Sequence, residues 1–450
     1  MTDDTPTEGS TTPDHPPADE LAAQLQCSSV ELATTDPTAG HADLDPVGDI
    51  LTNARIVGLG EATHGTREVF RLKHRLVRYL VEEHGLRLFA MEANLPEAMA
   101  LDEYIVHGEG NPCEALAGTH FWIWRTEAVL ALVEWFREFN TGRPLDDRVR
   151  FYGIDAQYTT GAIDYLDEFL ADTDPSLREE LQTDLAAADD EGNTDDQYMS
   201  NHDSGAAERL LDRLGTVFEE RREAFAAATS ERETVIAGRC LRVVEQVRQR
   251  RIARATDGIQ ASMIVRDEAM AENLSWILNR EATDTAVLWA HDAHVCRTAN
   301  FSATVDRAPS LGSHLADRYG DEYFALGFDF LRGSFRAIGV GLSPESELDT
   351  WSLDAPPRNS ITRVFSATDH DLAFFDFATD RADDQLETWL TQPRAKRELG
   401  AVYYGSDGPS ENEKDGQAAH NAVRILPEAF DGLLFIRETM PSVVLDNPEH

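Results

Sequence analysis

Lysine is almost missing from this chain. Of 40 basic residues among 450, only Lys73, Lys396 and Lys414 are lysine, against 82 acidic residues and a formal net charge of −42. Such a deficit of positive charge disfavours nucleic acid, because phosphate is repelled. The acidic residues run along the whole length, and 42% of residues are hydrophobic, in periodic runs. The charge therefore marks a folded acidic surface and not a disordered chain. A surface of this kind suits high salt, where self-repulsion is screened, and the chain reads as halophilic. Cysteine is scarce as well. Cys27, Cys113, Cys240 and Cys296 are scattered, without a Cys-x-x-Cys pair, which argues against a disulfide framework and a cysteine zinc site. No apolar run approaches a membrane-spanning length. The acidic opening Met1-Thr2-Asp3-Asp4 lacks the apolar stretch of a secretory signal. The expectation is a cytoplasmic protein with no membrane and no nucleic-acid partner; the sequence leaves its oligomeric state open. A phosphate loop, a dinucleotide fingerprint and a Gly-x-Ser-x-Gly elbow are also missing. Without a serine nucleophile, the simplest hydrolytic scheme is water activated by histidine.

What is present is an alternation of short apolar runs and amphipathic stretches. Arg55–Gly60, Arg87–Glu92 and Val149–Ile154 read as buried strands, separated by helical patterns over Thr66–His84, Leu95–His107 and Thr126–Asn140. This order predicts an α/β fold with a largely parallel central sheet flanked by helices. Residues 1–18, rich in Thr, Pro and Asp, read as a disordered acidic tail. Residues 19–174 form a first α/β half. Residues 175–280 lose all strand signals and read as an all-helical insert of three or four helices, a candidate cap over the site. Residues 281–450 form a second α/β half, with strands at Thr285–Ala290, Tyr323–Phe328, Phe335–Val340, Leu372–Phe377 and Leu433–Ile436. Helices are expected at Leu311–Tyr319, Ile361–Ala367 and Asp384–Thr391, and an exposed loop from Gly405 to Gly416.

Chemistry concentrates where two of these strands end. The run Arg55-Ile56-Val57-Gly58-Leu59-Gly60 leads into Glu61-Ala62-Thr63-His64-Gly65. The run Ala286-Val287-Leu288-Trp289-Ala290 leads into His291-Asp292-Ala293-His294. Ligands of open α/β sheets bind beyond the carboxyl ends of the strands, so both turns are candidates for one site. At its spacing, Glu61 can orient the His64 imidazole, the usual general base near neutral pH. Glu92 closes a third apolar run and is costly to bury unpaired. Lys73 has Val69, Phe70, Leu76 and Val77 as its helical neighbours, which puts it on a buried face. A buried ammonium needs a counter-charge, and Glu61 or Glu92 can supply it. Trp122, Trp124, Arg125 and Glu127 form an aromatic and ionic cluster suited to lining a substrate pocket, and Asp155 follows a strand end in the same way.

Taken together, Gly60-Glu61-Ala62-Thr63-His64-Gly65-Thr66, Ala90-Met91-Glu92-Ala93, Trp124-Arg125-Thr126-Glu127, Gly153-Ile154-Asp155 and Trp289-Ala290-His291-Asp292-Ala293-His294 resemble the erythromycin esterase family. Lys73 stands where some members have arginine, and Asp292 where asparagine is frequent. The resemblance implies hydrolysis of a macrolide-type lactone ester by His64-activated water, with no metal and no cofactor. Glu61, Glu92, His291 and His294 would be the other active-site groups, and a small-molecule ester or lactone the partner. Lys73 and one of the two downstream histidines would stabilise the oxyanion. Two alternatives stand beside this reading. Glu61, His64, Glu92, His291 and His294 also make a mixed N/O ligand set for a metal-dependent hydrolase. The histidines and tryptophans also permit a non-enzymatic protein that binds haem or a large apolar ligand.

The charge makes one prediction directly. A net −42 repels itself when unscreened, so the melting temperature should climb steeply from low to molar salt. A flat dependence would remove the halophilic reading.

Overall fold

The computed structural model describes residues 18–189, 204–281, 283, 285–298, 300–302, 305–340, 347–356, 359–378, 384–405 and 421–446. The acidic tail up to residue 17 and most of the expected Gly405–Gly416 loop lie outside the described residues.

The strands are β1 (Ser29–Glu31), β2 (Ile56–Leu59), β3 (Leu88–Asn94), β4 (Arg150–Asp155), β5 (Ala286–Trp289), β6 (Asn300–Ser302), β7 (Val305–Ala308), β8 (Tyr323–Gly339), β9 (Leu348–Leu353), β10 (Leu372–Asp376), β11 (Arg394–Arg397), β12 (Val402–Tyr403), β13 (Asn421–Arg424) and β14 (Gly432–Thr439). Ten of them make one sheet in the order β1-β10-β14-β8-β2-β5-β3-β4, with β9 and β12 added onto β8. The six strands from β14 to β4 are parallel to their neighbours, while β1, β10 and β9 pair antiparallel. The fold is α/β with a mostly parallel sheet and helices on both faces.

Strand periodicity decides which chemistry meets which layer. On one face Val57, Leu59, Phe89, Met91, Val287 and Trp289 pack against Val69, Phe70, Leu76 and Val77 of the Arg67–His84 helix. On the other face Ile56, Leu88, Ala90, Ala286 and Leu288 pack against Met270, Leu274, Ile277 and Leu278 of the Ile259–Glu281 helix. Glu92, two residues beyond Ala90, falls on that second face.

The long strand-free stretch contains helices Thr160–Thr173, Pro175–Ala188, Ser204–Ala228, Glu231–Asp257 and Ile259–Glu281. Most share a core of Leu166, Leu170, Leu181, Leu210, Leu214, Val243 and Val247. The last of them instead packs on the sheet and reaches the strand ends.

Two expectations change. The strands predicted over Tyr323–Phe328 and Phe335–Val340 are one continuous strand, β8. Its first part pairs with β2, its middle with β14 and its end with β9, so β14 carries it through Asp329–Arg332, between the end of the β2 pairing and the start of the β9 pairing. The helix predicted from Leu95 begins at Met99, after a turn at residues 95–98 that holds Pro96; proline disfavours helix in the residue before it.

Backbone packing fixes the turn after β2. The Gly65 carbonyl accepts hydrogen bonds from the backbone N–H groups of Arg336 (3.0 Å) and Ser442 (2.8 Å). A Cβ on Gly65 would stand 1.9 Å from the Arg336 carbonyl oxygen. Gly65→Ala should therefore cost roughly 1–3 kcal/mol, the usual range for overpacking. Gly215 lies in the Ser204–Ala228 helix, with nothing within 4 Å of where an alanine methyl would stand, and Gly215→Ala should stabilise by about 1 kcal/mol. Urea unfolding of both variants checks the contrast, and equal effects would refute it.

Candidate active site

The turn after β2, the end of β3 and the turn after β5 lie side by side, because β5 sits between β2 and β3 in the sheet. Glu61 is wholly buried and accepts three hydrogen bonds. His64 Nδ1 lies 2.6 Å from its Oε1, while Lys73 Nζ (2.8 Å) and Trp289 Nε1 (2.9 Å) meet its Oε2. The Lys73 ammonium also rests 4.2 Å from the centre of the Trp289 ring, a cation–π contact. Burial pushes Glu61 up, but Lys73 and His64 outweigh it and hold the carboxyl below its ordinary range. Burial drops the Lys73 ammonium to about 8, with Glu61 resisting. At neutral pH the pair is ionised. Since Glu61 Oε1 accepts from Nδ1–H, Nε2 is the nitrogen through which the neutral form of His64 can take a proton. Nε2 has no hydrogen-bond partner among the described residues.

On the opposite side Glu92 closes a second network. Its Oε1 accepts from Arg266 Nη2 (2.7 Å) and lies 3.2 Å from His294 Nε2; its Oε2 accepts from the His291 backbone N–H (2.9 Å). Arg266 also forks onto Asp155, with contacts of 2.6, 3.0 and 3.1 Å. His294 Nδ1 is 2.6 Å from Asp267 Oδ1. Burial works against charge on His294, yet Asp267 and Glu92 prevail and raise it to about 10. Burial would raise Glu92, but His294 and Arg266 carry it well below the usual carboxylate range. His294 thus lies between two carboxylates that favour its charged form, with Arg266 Nη1 also 3.2 Å from its Nε2.

His291 is its opposite. Its Nε2 donates to the Leu399 carbonyl (2.7 Å) and its Nδ1 accepts from the Ala293 N–H (3.1 Å). Burial, reinforced by His64, lowers it to about 3, so it is neutral and of one tautomer. Its ring centre is 4.8 Å from that of His64. Trp124 packs edge-on to His64 at 6.1 Å and donates its indole N–H to the Glu92 carbonyl (2.9 Å).

The structure therefore joins Glu61, His64, Lys73, Glu92, Trp124, Asp155, His291 and His294 in one cluster. Trp122 and Glu127 make no hydrogen bond or ring contact with it among the described residues: Trp122 is half-buried against the main core, and Glu127 is exposed in the first turn of the Glu127–Asn140 helix. That helix is capped by Thr126, whose side chain accepts from Val129 N. Arg125 is half-buried beside that cap.

Four contributors were not singled out from the sequence. Arg266 and Asp267 come from the helical stretch, where Met263, Ile264, Met270 and Ala271 around them signal a buried face as Lys73's neighbours do. Lys396, on β11, is also wholly buried and donates to Asp292 Oδ2 and the Arg397 carbonyl. In a chain with three lysines, its rarity was a usable signal. Glu398 is half-buried beneath a forked contact from Arg424 (2.7 and 3.0 Å); desolvation raises it, but Arg424 and Lys396 bring it to about 2.

As ligands for a metal, these groups are already committed. Both Glu61 oxygens, both Glu92 oxygens, and both nitrogens of His291 and His294 meet protein partners. Among the described residues no three His, Cys, Asp or Glu side chains are arranged to hold a metal ion. No described helix is long and apolar enough to cross a membrane.

With the geometry in place, comparisons with known proteins are informative. The chain is 25% identical over 350 residues to erythromycin esterase type II of Escherichia coli, covering 73% of this chain and 82% of that one. A crystal structure of a Bacillus cereus protein superposes with a TM-score of 0.81 at 26% identity, covering 96% of this chain and all of that one. A mutant of erythromycin esterase EreC in its open conformation superposes with a TM-score of 0.68 at 19% identity, over 92% of this chain and 98% of that one, a likeness of fold alone. The family model for erythromycin esterase matches residues 81–439, most of the sequence, and the chain belongs to the erythromycin esterase family.

Proposed function

We propose that this protein is a hydrolase of carboxylic esters, of the macrolide-lactone type, in which His64 activates water. Family membership supports hydrolysis, and the name of the Escherichia coli relative supports the substrate class. The observation that carries the mechanism is the open Nε2 of His64, aimed by the Glu61 contact at Nδ1. Water gives a proton to Nε2 as its oxygen bonds to the ester carbonyl carbon. The tetrahedral intermediate then expels the alkoxide, which takes the proton back from His64. A lactone is thereby opened to one hydroxy acid, which carries both the new carboxylic acid and the new alcohol, and the base is restored.

The remaining groups divide the work by position. Lys73 faces Glu61 and is wholly buried, so it acts through Glu61 and not on the oxyanion. His291 has its only N–H on Leu399. That leaves His294, whose Nε2 lies 3.2 Å from both Glu92 Oε1 and Arg266 Nη1, and the Arg266 guanidinium as the pair an oxyanion would recruit. The imidazolium formed on His64 is stabilised by Glu61.

His64→Ala should reduce turnover of a cleaved lactone by ~10²–10⁴-fold, the usual worth of a general base, with the fold intact but the melting temperature lowered, because Glu61 loses one of its three buried donors. The assay is a screen of macrolides and simpler lactones in high salt, with and without chelator. Full activity in the variant, or activity lost to EDTA and restored by Zn or Mn, would defeat the scheme.

Lys73 supplies a pH test. Below about 8 it is an ammonium and pairs with Glu61; above that Lys73 is neutral and Glu61 is left a buried carboxylate without its counter-charge, which disturbs the site around His64. The kcat/KM profile should fall on the alkaline side near pH 8. Lys73→Arg should move that limb upward, because a guanidinium stays protonated. An alkaline limb that does not move would assign it to another group.

A further inference from the structure

One residue touches both catalytic turns through its backbone. The Leu399 N–H donates to the Ala62 carbonyl (2.6 Å), between Glu61 and His64, and the Leu399 carbonyl accepts from His291 Nε2 (2.7 Å). Three residues earlier, Lys396 donates to Asp292, immediately after His291. Between them Glu398 is anchored to Arg424 on the paired strand β13. The Asp292 carboxylate in turn accepts from the Phe328 N–H (3.2 Å) of β8, and the Asp292 N–H donates to the Glu61 carbonyl (3.0 Å). Lys396, Asp292 and Leu399 are all buried, so the Lys396–Asp292 and Leu399 contacts are made away from water.

We propose that the segment Lys396–Leu399 is a positioning clamp for the catalytic base, pinned to the second turn by the Lys396–Asp292 ion pair. Its function is to hold the His291 ring at a fixed distance from His64 and in the tautomer that carries its proton on Nε2. With its proton directed at Leu399, His291 neither donates to His64 Nε2 nor competes for the water that His64 activates. A released ring can turn and offer that proton to the base, which blocks it. Lys396 is thus a positioning residue. It touches no reacting atom, and it acts through Asp292 and the strap. The kinetic consequence rests on the ester-hydrolase reading; the structural claim does not.

The single variants each strand a buried charge and risk unfolding. The test is therefore the double variant Lys396→Met with Asp292→Asn, which removes both charges together and keeps a side-chain oxygen for the Phe328 N–H. Its fold is checked by melting in high salt. Its His291 ring is read by ¹⁵N spectra of histidine-labelled protein, assigned with His291→Asn. The wild type should show one Nε2–H tautomer for His291. The double variant should show averaged nitrogen shifts, with kcat reduced ~10²-fold, as small misplacement in a site can cost, and KM changed by less than about twofold. A folded double variant that keeps a single His291 tautomer and full kcat would overturn the clamp. The spectra need no substrate, so a changed His291 signal in a protein that cleaves no ester upholds the clamp and rejects the hydrolase reading alone.

Discussion

The Glu61 carboxylate accepts from His64, Lys73 and Trp289 at once, and each of those donors belongs to a different element. His64 lies in the turn after β2, Lys73 on the helix that follows and Trp289 at the end of β5. A carboxylate taken wholly out of water is tolerable only when its lone pairs are used. The three donors are thus held in place by the cost of leaving Glu61 unsatisfied. That constraint defines the orientation of the imidazole, the depth of the helix against the sheet and the register between β2 and β5. It also explains why an ammonium sits against an indole ring inside the protein, where the ring face supplies part of the lost hydration.

The acid excess and the site obey different electrostatics. Exposed carboxylates repel across water and are screened by salt within a Debye length of ~8 Å at physiological ionic strength. The pairs Glu61–Lys73, Asp292–Lys396 and Glu92–Arg266 are buried, and Glu398–Arg424 nearly so; all are screened far less. Salt therefore acts on the exposed charge far more than on the pairs around the candidate site. Nearly every cation near the site is matched to a carboxylate one for one; the Arg266–His294 pair is the denser case, with Glu92, Asp155 and Asp267 around two cations.

Much of the sheet was legible because buried parallel strands are short apolar runs that stop at turns. Ile56–Leu59, Leu88–Asn94 and Ala286–Trp289 announce themselves in this way, and the site residues at their ends come with them. Lys73 was legible by a different rule, its apolar helical neighbours. β11 was not: Arg394-Ala395-Lys396-Arg397 reads as a polar surface segment, and its burial depends on partners at Asp292, Phe330 and Leu331 that are far away in sequence. Arg266 and Asp267 were hidden because their helix continues a stretch whose other members pack among themselves. Trp122 and Glu127, near Trp124 in sequence, make no hydrogen bond or ring contact with the cluster among the described residues. Helix geometry takes Glu127 outward at the first turn, while Trp124 turns inward.

The rarity of lysine has a practical face. Lys73 and Lys396 are both at 0% exposure, with their amines engaged by carboxylates. Acylating reagents that label primary amines can reach these two only when the strand ends part. Their labelling would then count openings of the active-site floor, one position on each side of the Glu61–Asp292 contact, in a protein with almost no other lysine to contribute background.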